Sequence, residues 1–270
     1  MKIHPTAIVE DGAELADGVE IGPYCHLGQH CKLDEGVRLQ SHVIIAGRTR
    51  VGARTIVYPH AALGGDAQMR KPSPETVSLV IGADNIIREG VTMSMGSGAG
   101  RGTTTIGDRC YLMAYSHVGH DCRVGNEVTL SNGALLGGHA DVGDGVIMGG
   151  QACVQQFGRV GRYAFISGLS GVTTDVIPYG MAIGLHVRLG GLNLIGLRRR
   201  NVPRSNIHAL RAAYRFIFLD GSGTIHANAR NAASQWPDVP EVQDVVSFIL
   251  ADAKRPISPA RKRHLDMDEG

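Results

Sequence analysis

The sequence predicts a mostly β protein, a parallel β-helix of hexapeptide repeats followed by a small α-helical domain at the carboxyl end. Three observations support this prediction. Aliphatic residues recur at every sixth position, glycine often follows them directly, and the repeat gives way to helical spacing in the last third of the chain. Neither the period of an α-helix nor that of a simple strand produces such a pattern.

The six-residue period occupies two blocks of the chain. Each repeat fits a short strand and a tight corner, so three repeats close one coil of a three-sided prism. Residues 18 positions apart then lie on adjacent coils, with the aliphatic side chains inside and glycine at the corners. The first block has them at Ile3, Val9, Leu15, Ile21, Leu27, Leu33, Leu39, Ile45, Val51, Val57 and Leu63, and the second at Ile106, Leu112, Val118, Val124, Leu130, Leu136, Val142, Met148, Val154, Val160, Ile166 and Val172.

The composition excludes several classes of protein. The chain has 270 residues, enough for a sizeable core, and its net charge of +2 provides no long-range field for nucleic acid. Its five cysteines include no CxxC pair, which predicts reduced thiols rather than a disulfide framework. The start lacks a signal-peptide pattern, and no apolar run of about 18 residues follows. We therefore expect a cytoplasmic protein that binds no nucleic acid and does not insert into membranes.

Two segments interrupt the repeats and predict external loops. The first, near residues 66–78, is polar and contains proline, and the second, near residues 95–104, is rich in glycine. Insertions in a solenoid collect on one face, often the binding face. We expect the β-helix to span residues 1–185, the helical domain residues 186–253, and a flexible tail residues 254–270.

Three helices are predicted in the carboxyl-terminal domain. The first begins near Pro203 and Ser205, where apolar residues take up helical spacing. A weaker helix spans residues 224–234, and a third follows Pro240.

A cluster of histidines carries the candidate chemistry. His120 precedes Gly138 by 18 positions, and Asp121 precedes His139 by the same interval, so the repeat stacks these residues on one edge of the prism with His117 nearby. An imidazole can take a proton from an alcohol and return it to a leaving group, as acyl transfer requires, and a glycine N–H can hold an oxyanion. One alternative is a zinc site with the three histidines as ligands. Another is a non-enzymatic scaffold with incidental surface histidines.

A basic segment provides the second functional signal. Between Gly190 and Leu219 there are six arginines and no carboxylate, and Arg211 and Arg215 share one helix face. Guanidinium groups bind phosphates in a bidentate manner, so the candidate partners are a nucleotide sugar, a phosphopantetheine arm and the acidic helix of an acyl carrier protein. A solvated basic helix is the alternative.

The motifs HPTAIVEDG, SHVGHDCRVGN, LLGGHADVGDG and GLNLIGLRRR, in this order, resemble the UDP-N-acetylglucosamine acyltransferase family of lipid A biosynthesis, within the hexapeptide-repeat acyltransferases. The resemblance spans roughly residues 3–250. It implies a left-handed prism and a homotrimer with active sites between subunits. It also implies transfer of an (R)-3-hydroxyacyl chain from acyl carrier protein to the 3-position of UDP-N-acetylglucosamine, without a metal or cofactor.

The resemblance also implies roles for individual residues. His120 is the general base, Asp121 orients it, and the Gly138 N–H holds the oxyanion. Gly168 lies where the family gauges acyl length, which suggests a long chain of about fourteen carbons because glycine leaves space there. Arg211 and Arg215 are expected to contact the carrier protein. The other expected substrate-binding residues are Gln68, Lys71, His117, His139, Gln156, His186, Asn193, Arg199 and Arg200.

Two departures from the family pattern leave alternatives open. Gln155 stands where the family often has histidine, and Met69 stands where it commonly has aspartate. Loss of that carboxylate leaves undecided whether the acceptor carries a 3-hydroxyl or a 3-amine. A related transferase that uses a coenzyme A thioester is a further alternative. A covalent intermediate on Cys122 is not expected, because no base is predicted beside it.

Overall fold

The computed structural model describes residues 1–70 and 76–261, and its main body is a left-handed parallel β-helix of triangular cross-section. Short strands alternate with tight corners, as the six-residue period predicts. Residues with positive φ recur at the corners, among them Tyr24, Arg54 and Asp121. Lys71, one of the expected substrate-binding residues, lies outside the described residues.

The strands are mostly two residues long. In chain order they are β1 (Lys2–Ile3), β2 (Ile8–Val9), β3 (Glu14–Leu15), β4 (Glu20–Ile21), β5 (His26–Leu27), β6 (Lys32–Leu33), β7 (Arg38–Leu39), β8 (Ile44–Ile45), β9 (Thr49–Val51), β10 (Ile56–Val57), β11 (Ala62–Gly65), β12 (Ser78–Ile81), β13 (Ile86–Ile87), β14 (Thr92–Ser94), β15 (Thr103–Ile106), β16 (Tyr111–Leu112), β17 (His117–Val118), β18 (Arg123–Val124), β19 (Thr129–Leu130), β20 (Leu135–Leu136), β21 (Asp141–Val142), β22 (Ile147–Met148), β23 (Cys153–Val154), β24 (Arg159–Val160), β25 (Phe165–Ile166), β26 (Gly171–Val172), β27 (Gly180–Ile183) and β28 (Arg188–Leu192).

Every third strand joins the same sheet, which gives the prism three faces. Face A runs from β1 to β28, face B from β2 to β26, and face C from β3 to β24. We call the edges between them the AB, BC and CA edges. In each two-residue strand the second residue points inward, so the predicted aliphatic positions from Ile21 onward form one buried core. The first residue of each strand points outward and sets the chemistry of its face.

The two insertions leave the ladders intact. Partners on adjacent coils are normally 18 residues apart, as for Lys2 and Glu20. The interval grows to 30 residues between Ile56 and Ile86, and to 25 residues between Ser78 and Thr103. Both extra segments leave the prism at the BC edge, after β11 and after β14. The described residues of both segments therefore begin on the edge that carries the histidine cluster.

The carboxyl-terminal part begins with a hairpin rather than a helix. After β27 the chain turns at Gly184, and β28 returns antiparallel to close the last coil. Among the residues expected to open the helical domain from 186, Arg188–Leu192 are therefore strand residues of face A. The helices are α1 (Leu194–Arg199), α2 (Arg204–Arg215), α3 (Ile225–Gln235) and α4 (Pro240–Leu250), with a π-helical turn at Phe216–Asp220.

Three of these helices match the predicted ones, and each start has a local cause. Thr224 caps α3 by accepting a hydrogen bond from the N–H of Ala227. Pro240 occupies the first position of α4, where a missing N–H costs nothing. The short helix α1 carries no periodic signal because it has only six residues. None of the helices in residues 1–70 and 76–261 is both long and apolar enough to cross a membrane.

The segment expected to be a flexible tail is partly ordered. Residues 256–261 run along the end of the prism, where Asp175 and Leu189 exchange backbone hydrogen bonds with them. Ile257 is 9% exposed and Ser258 is fully buried. One apolar side chain and a few backbone bonds therefore attach residues 256–261 to the prism, and the flexible tail over residues 254–270 stays a prediction. Residues 262–270 lie outside the described residues.

Candidate active site

The predicted histidine cluster lies on the BC edge. Between β17 and β18 the chain turns sharply, and Asp121 adopts a φ of 60° at the corner. In an extended strand the side chains of neighbouring residues point apart. The corner turns the Asp121 carboxylate back toward its neighbour, so His120 Nδ1 lies 2.8 Å from Asp121 Oδ2. His120 and Asp121 therefore form a hydrogen-bonded pair, and both are buried.

Hydrogen-bond donors from the glycine-rich insertion surround the Asp121 carboxylate. The Ser97 hydroxyl donates to Oδ2 over 2.6 Å. The backbone N–H groups of Ser97, Arg101 and Gly102 donate over 2.7 to 3.2 Å. Burial raises the pKa of Asp121, but these donors together with His120 outweigh it and lower the pKa to about 2. Asp121 is therefore ionised throughout the neutral range.

The next two coils add His139 and Phe157 at the same corner. His139 meets the His120 ring edge-on at 5.0 Å and stacks on Phe157 at 4.3 Å between ring centroids. Its Nε2 is 3.7 Å from Asp121 Oδ2. Burial lowers the pKa of His139, although the Asp121 charge opposes this. His139 is therefore a mostly neutral ring beside the pair.

His117 lies on face B, one strand before the pair. Its Nδ1 is 2.8 Å from the Thr92 hydroxyl on the preceding coil. Burial is the largest cause of its lowered pKa. The neutral ring therefore presents Nε2 as a donor or acceptor to a bound molecule.

Gly138 packs directly against the imidazole of His120. A Cβ atom at residue 138 would lie 2.6 Å from His120 Nε2, so only glycine leaves that nitrogen accessible. The Gly138 carbonyl accepts a hydrogen bond from Phe157. Among the described residues no acceptor pairs with the Gly138 N–H. A basic nitrogen and an unpaired backbone donor therefore lie side by side on the BC edge.

The same cluster contains three potential metal ligands. One ligand atom each from His120, Asp121 and His139 lies within 4.8 Å of the others. The Asp121 oxygens are already occupied by donors from the insertion, and His120 uses Nδ1 for Asp121. This donor set fits proton transfer better than metal binding. Cys122 is buried, and burial raises the pKa of its thiol to about 12, which disfavours a thiolate nucleophile.

Residues near the carboxyl end complete the corner and were not predicted. Arg255 donates to the side chain of Gln155 and to the backbone carbonyl of Gln156, over 2.8 and 2.7 Å. Lys254 lies over the Phe157 ring, 3.8 Å from its centroid. Gln155, which departs from the family pattern, therefore anchors the last segment of the chain to the corner. Gln156 is exposed beside it.

The expected nucleotide-binding residues lie on a different edge. Asn193 caps α1 and donates to the Tyr163 carbonyl, so its side chain is already engaged. Arg200 stacks on Tyr163 at 3.7 Å and is 3.5 Å from a carboxylate oxygen of Glu127, both on the CA edge. Arg199 is exposed at the end of α1. Within one chain these residues are not grouped with His120.

The remaining expected residues are dispersed. Gln68 is exposed on the first insertion. Gly168 lies on the AB edge, where Leu169 and Leu185 are 62% and 77% exposed, and His186 is exposed next to Leu185. These form an apolar patch away from the pair. The two arginines expected to bind the carrier protein, Arg211 and Arg215, are exposed on α2, where Arg215 pairs with Asp220.

The chain resembles known proteins along almost its whole length. A family model described as UDP-N-acetylglucosamine O-acyltransferase, domain 2, matches residues 175–258. A bacterial transferase hexapeptide model matches residues 103–138. The acyl-(acyl-carrier-protein)-UDP-N-acetylglucosamine O-acyltransferase of Sinorhizobium fredii is 46% identical over 257 residues, 95% of each chain. The chain belongs to the UDP-N-acetylglucosamine O-acyltransferase family.

Further members agree in sequence and fold. The Brucella ovis acyltransferase is 50% identical over 253 residues, 94% of this chain and 91% of its own. The crystal structure of the Moraxella catarrhalis UDP-N-acetylglucosamine O-acyltransferase superposes with a TM-score of 0.91 at 37% identity, over 95% of this chain and 99% of its own. The predicted family and fold are thus confirmed. This chain has the acyltransferase fold of the family, with a histidine and aspartate pair on its BC edge.

Proposed function

We propose that this chain transfers an (R)-3-hydroxyacyl group from acyl carrier protein to the 3-hydroxyl of UDP-N-acetylglucosamine, the first step of lipid A biosynthesis. Its relatives are named acyl-(acyl-carrier-protein)-UDP-N-acetylglucosamine O-acyltransferases. The observation that carries the proposal is the arrangement of His120 and Gly138. His120 Nε2 lies against Gly138, whose backbone N–H has no acceptor among the described residues and can hold the developing oxyanion. We expect the enzyme to work in the cytoplasm.

The mechanism follows from these two groups. His120 Nε2 takes the proton of the sugar hydroxyl, and the oxygen forms a bond to the thioester carbonyl carbon. The Gly138 N–H donates a hydrogen bond to the resulting oxyanion. When the carbon–sulfur bond breaks, the protonated His120 returns its proton to the departing thiolate. The products are the 3-acylated sugar nucleotide and the free thiol of the carrier.

Asp121 supports both steps of this mechanism. Because it is ionised, it accepts a hydrogen bond from the Nδ1–H of His120, so the neutral ring carries no proton on Nε2. It also stabilises the imidazolium that exists between the two proton transfers. Asp121 does not take the proton itself, because its pKa is about 2.

We assign neutral polar side chains to the acceptor sugar, and most of the cationic side chains to the phosphates and the carrier protein. We assign His117, His139 and Gln156 to the acceptor sugar, since they surround the pair on the BC edge. We assign Gln68, which is exposed on the described part of the first insertion, and Lys71 to the acceptor sugar as well. Asn193, Arg199 and Arg200 are assigned to the nucleotide and the phosphopantetheine phosphate, and exposed Arg211 and Arg215 to the acidic carrier protein.

A homotrimer accounts for the separation, within one chain, between the BC edge with His120 and the CA edge with Arg200. Large apolar side chains are exposed on faces A and B, where Ile86 and Leu135 keep 38% and 44% of their surface. Face C carries charged outward residues such as Arg123 and Asp141. Contact between face A of one copy and face B of the next would bury the apolar surfaces and bring the CA edge of one subunit toward the BC edge of another. Each active site then forms between two subunits.

The length of the acyl chain is assigned to the apolar patch beside Gly168. Leu169 and Leu185 offer exposed apolar surface there, and glycine leaves space next to them. We expect donors of about fourteen carbons to be preferred. Equal or faster turnover of ten-carbon donors would overturn this assignment.

Met69 favours a second acceptor. It replaces the carboxylate that the family commonly has in the first insertion, and a 3-amine needs less help from a base than a 3-hydroxyl. The same pair of residues would then form an amide from the 3-amino analogue of the sugar nucleotide. A coenzyme A thioester as donor is the other variant of the proposal.

One experiment tests these assignments together. The purified protein is incubated with (R)-3-hydroxymyristoyl carrier protein and equal amounts of the 3-hydroxyl and 3-amino sugar nucleotides, and the products are identified by mass spectrometry. We expect an ester product that is lost in His120→Ala. An amide product would change the acceptor. If product forms from a coenzyme A thioester but not from the acyl carrier protein, the donor in the proposal is wrong. If neither donor gives a product, the proposal is overturned.

A further inference from the structure

We infer that the glycine-rich insertion, residues 96–102, positions the catalytic pair, and that Ser97 is its positioning residue. This inference rests on the proposed function, because it concerns how His120 becomes a base. The insertion was expected to be an external loop on the binding face. In the structure it folds over Asp121 and buries the carboxylate completely.

The contacts between the insertion and Asp121 are all of one kind. The Ser97 hydroxyl and three backbone N–H groups, from Ser97, Arg101 and Gly102, donate to the carboxylate. The three N–H groups can only donate a hydrogen bond, so they pair with a carboxylate oxygen and not with the O–H of a carboxylic acid. The Ser97 hydroxyl donates to Oδ2 beside them. The insertion therefore favours the ionised form of Asp121 only, and opposes the burial that would otherwise neutralise it.

The charge of Asp121 in turn determines which nitrogen of His120 carries the proton. An ionised carboxylate only accepts hydrogen bonds, so His120 must donate from Nδ1 at 2.8 Å. Nε2 is then unprotonated and faces Gly138. Without the donors of the insertion, a protonated Asp121 could donate to Nδ1, and the proton would move to Nε2, where the base is needed.

The insertion also fixes the position of the carboxylate. Arg101 donates to the Asp121 backbone carbonyl over 2.7 Å and to Asp141 over 2.7 Å, which ties the insertion to face C. A Cβ atom at Gly100 would overlap the carboxylate itself, although Gly100 does not have a left-handed φ. Residue 100 must therefore be glycine because a side chain would collide with the Asp121 carboxylate, and not because of the backbone conformation of Gly100.

The central test is Ser97→Ala, assayed with whichever sugar nucleotide the wild type acylates. It removes one donor of a charged hydrogen bond and leaves the three N–H groups in place. We expect kcat to fall on the order of tenfold, with KM for both substrates and the melting temperature nearly unchanged. Ser97→Thr, which keeps the hydroxyl, should recover most of the rate. Ser116→Ala is the matched control, since that buried hydroxyl has no hydrogen-bond partner among the described residues.

Two further measurements separate positioning from a structural effect. In an Asp121→Ala background, Ser97→Ala should cause no further loss of kcat, because Ser97 acts only through Asp121. Proton NMR should show a downfield resonance of the His120 Nδ1–H in the wild type and in Ser116→Ala. We expect this resonance to weaken or shift in Ser97→Ala.

The outcomes distinguish this inference from the proposed function. Wild-type kcat in Ser97→Ala, with His120→Ala inactive, would overturn the positioning role and leave the acyl transfer intact. An additive loss in the Asp121→Ala background would also overturn it. Absence of acyl transfer by the wild type would instead refute the proposed function.

Discussion

His120 can act as a base only while its Nε2 is bare and accessible, and its neighbours control both conditions. Asp121 holds the Nδ1 proton, and Gly138 leaves the space in front of Nε2 open. Proton position and steric access thus depend on different residues. The two effects can be separated by substitution.

Replacement of Gly138 by alanine should block His120. The new Cβ atom would lie 2.6 Å from Nε2, closer than any real contact of this kind, although the backbone N–H remains. We expect kcat to fall on the order of 100-fold, because the substrate can no longer contact His120 Nε2 and the Gly138 N–H at the same time. Steady-state kinetics and the melting temperature would be compared with those of Gly28→Ala, where an added Cβ makes only ordinary contacts. Similar rates in the two variants would contradict the assignment.

The partly buried His117 and His139 should make stability depend on pH. Burial lowers the pKa of His117 and His139 in the folded protein, whereas in the unfolded chain they titrate near 6.5. As the pH falls below about 6.5, the unfolded chain binds protons that the folded chain does not, so the free energy of unfolding falls. Urea unfolding at neutral and mildly acidic pH would measure this decrease. A His117→Gln, His139→Gln double variant should show a smaller decrease, and an equal one would contradict the explanation.

At the scale of single elements, the repeat pattern predicted what depends on local spacing. The six-residue period predicted which strand residues point inward. The interval of 18 residues predicted that His120 lies beside Gly138 and Asp121 beside His139. Contacts made by backbone N–H groups have no signature in side-chain patterns, so the role of the insertion over Asp121 was not predictable. Gln155 and Arg255 are 100 positions apart and follow no period, which is why their contact was also missed.

The ordered end of the chain provides a test at this scale. Ile257 is 9% exposed against the prism, and its neighbours bond to Asp175 and Leu189. Ile257→Ala should lower the free energy of unfolding by about 2 kcal/mol, because it leaves a cavity and loses apolar burial. Leu219→Ala is the control, since Leu219 is 52% exposed and lies on neither face A nor face B, and should change stability by under about 0.5 kcal/mol. Equal effects in urea unfolding would show that the segment contributes no packing.

For the whole molecule, the proposed trimer makes a prediction that one chain alone does not. If His120 and Arg200 act on the same substrate from different subunits, His120→Ala and Arg200→Ala can complement each other. After random mixing, about a quarter of the sites should combine an intact His120 with an intact Arg200, so activity should recover to about a quarter of the wild-type rate. The assay is acyl transfer before and after the two inactive variants are unfolded and refolded together.

A control makes the complementation specific. His120→Ala and Gly138→Ala lie on the same edge of one subunit, so mixing them should restore nothing. Recovery in this second mixture, or none in the first, would contradict active sites shared between subunits.

The interval of 18 residues between neighbouring strands has a consequence for how the protein is made. Each coil contacts mainly the coil before it, so a new coil can dock as soon as it emerges from the ribosome. Growth would proceed from the amino end, with each finished coil as the template for the next. The antiparallel β28 and residues 256–261, which follow the last coil in the chain, would then terminate this growth by covering the final open edge.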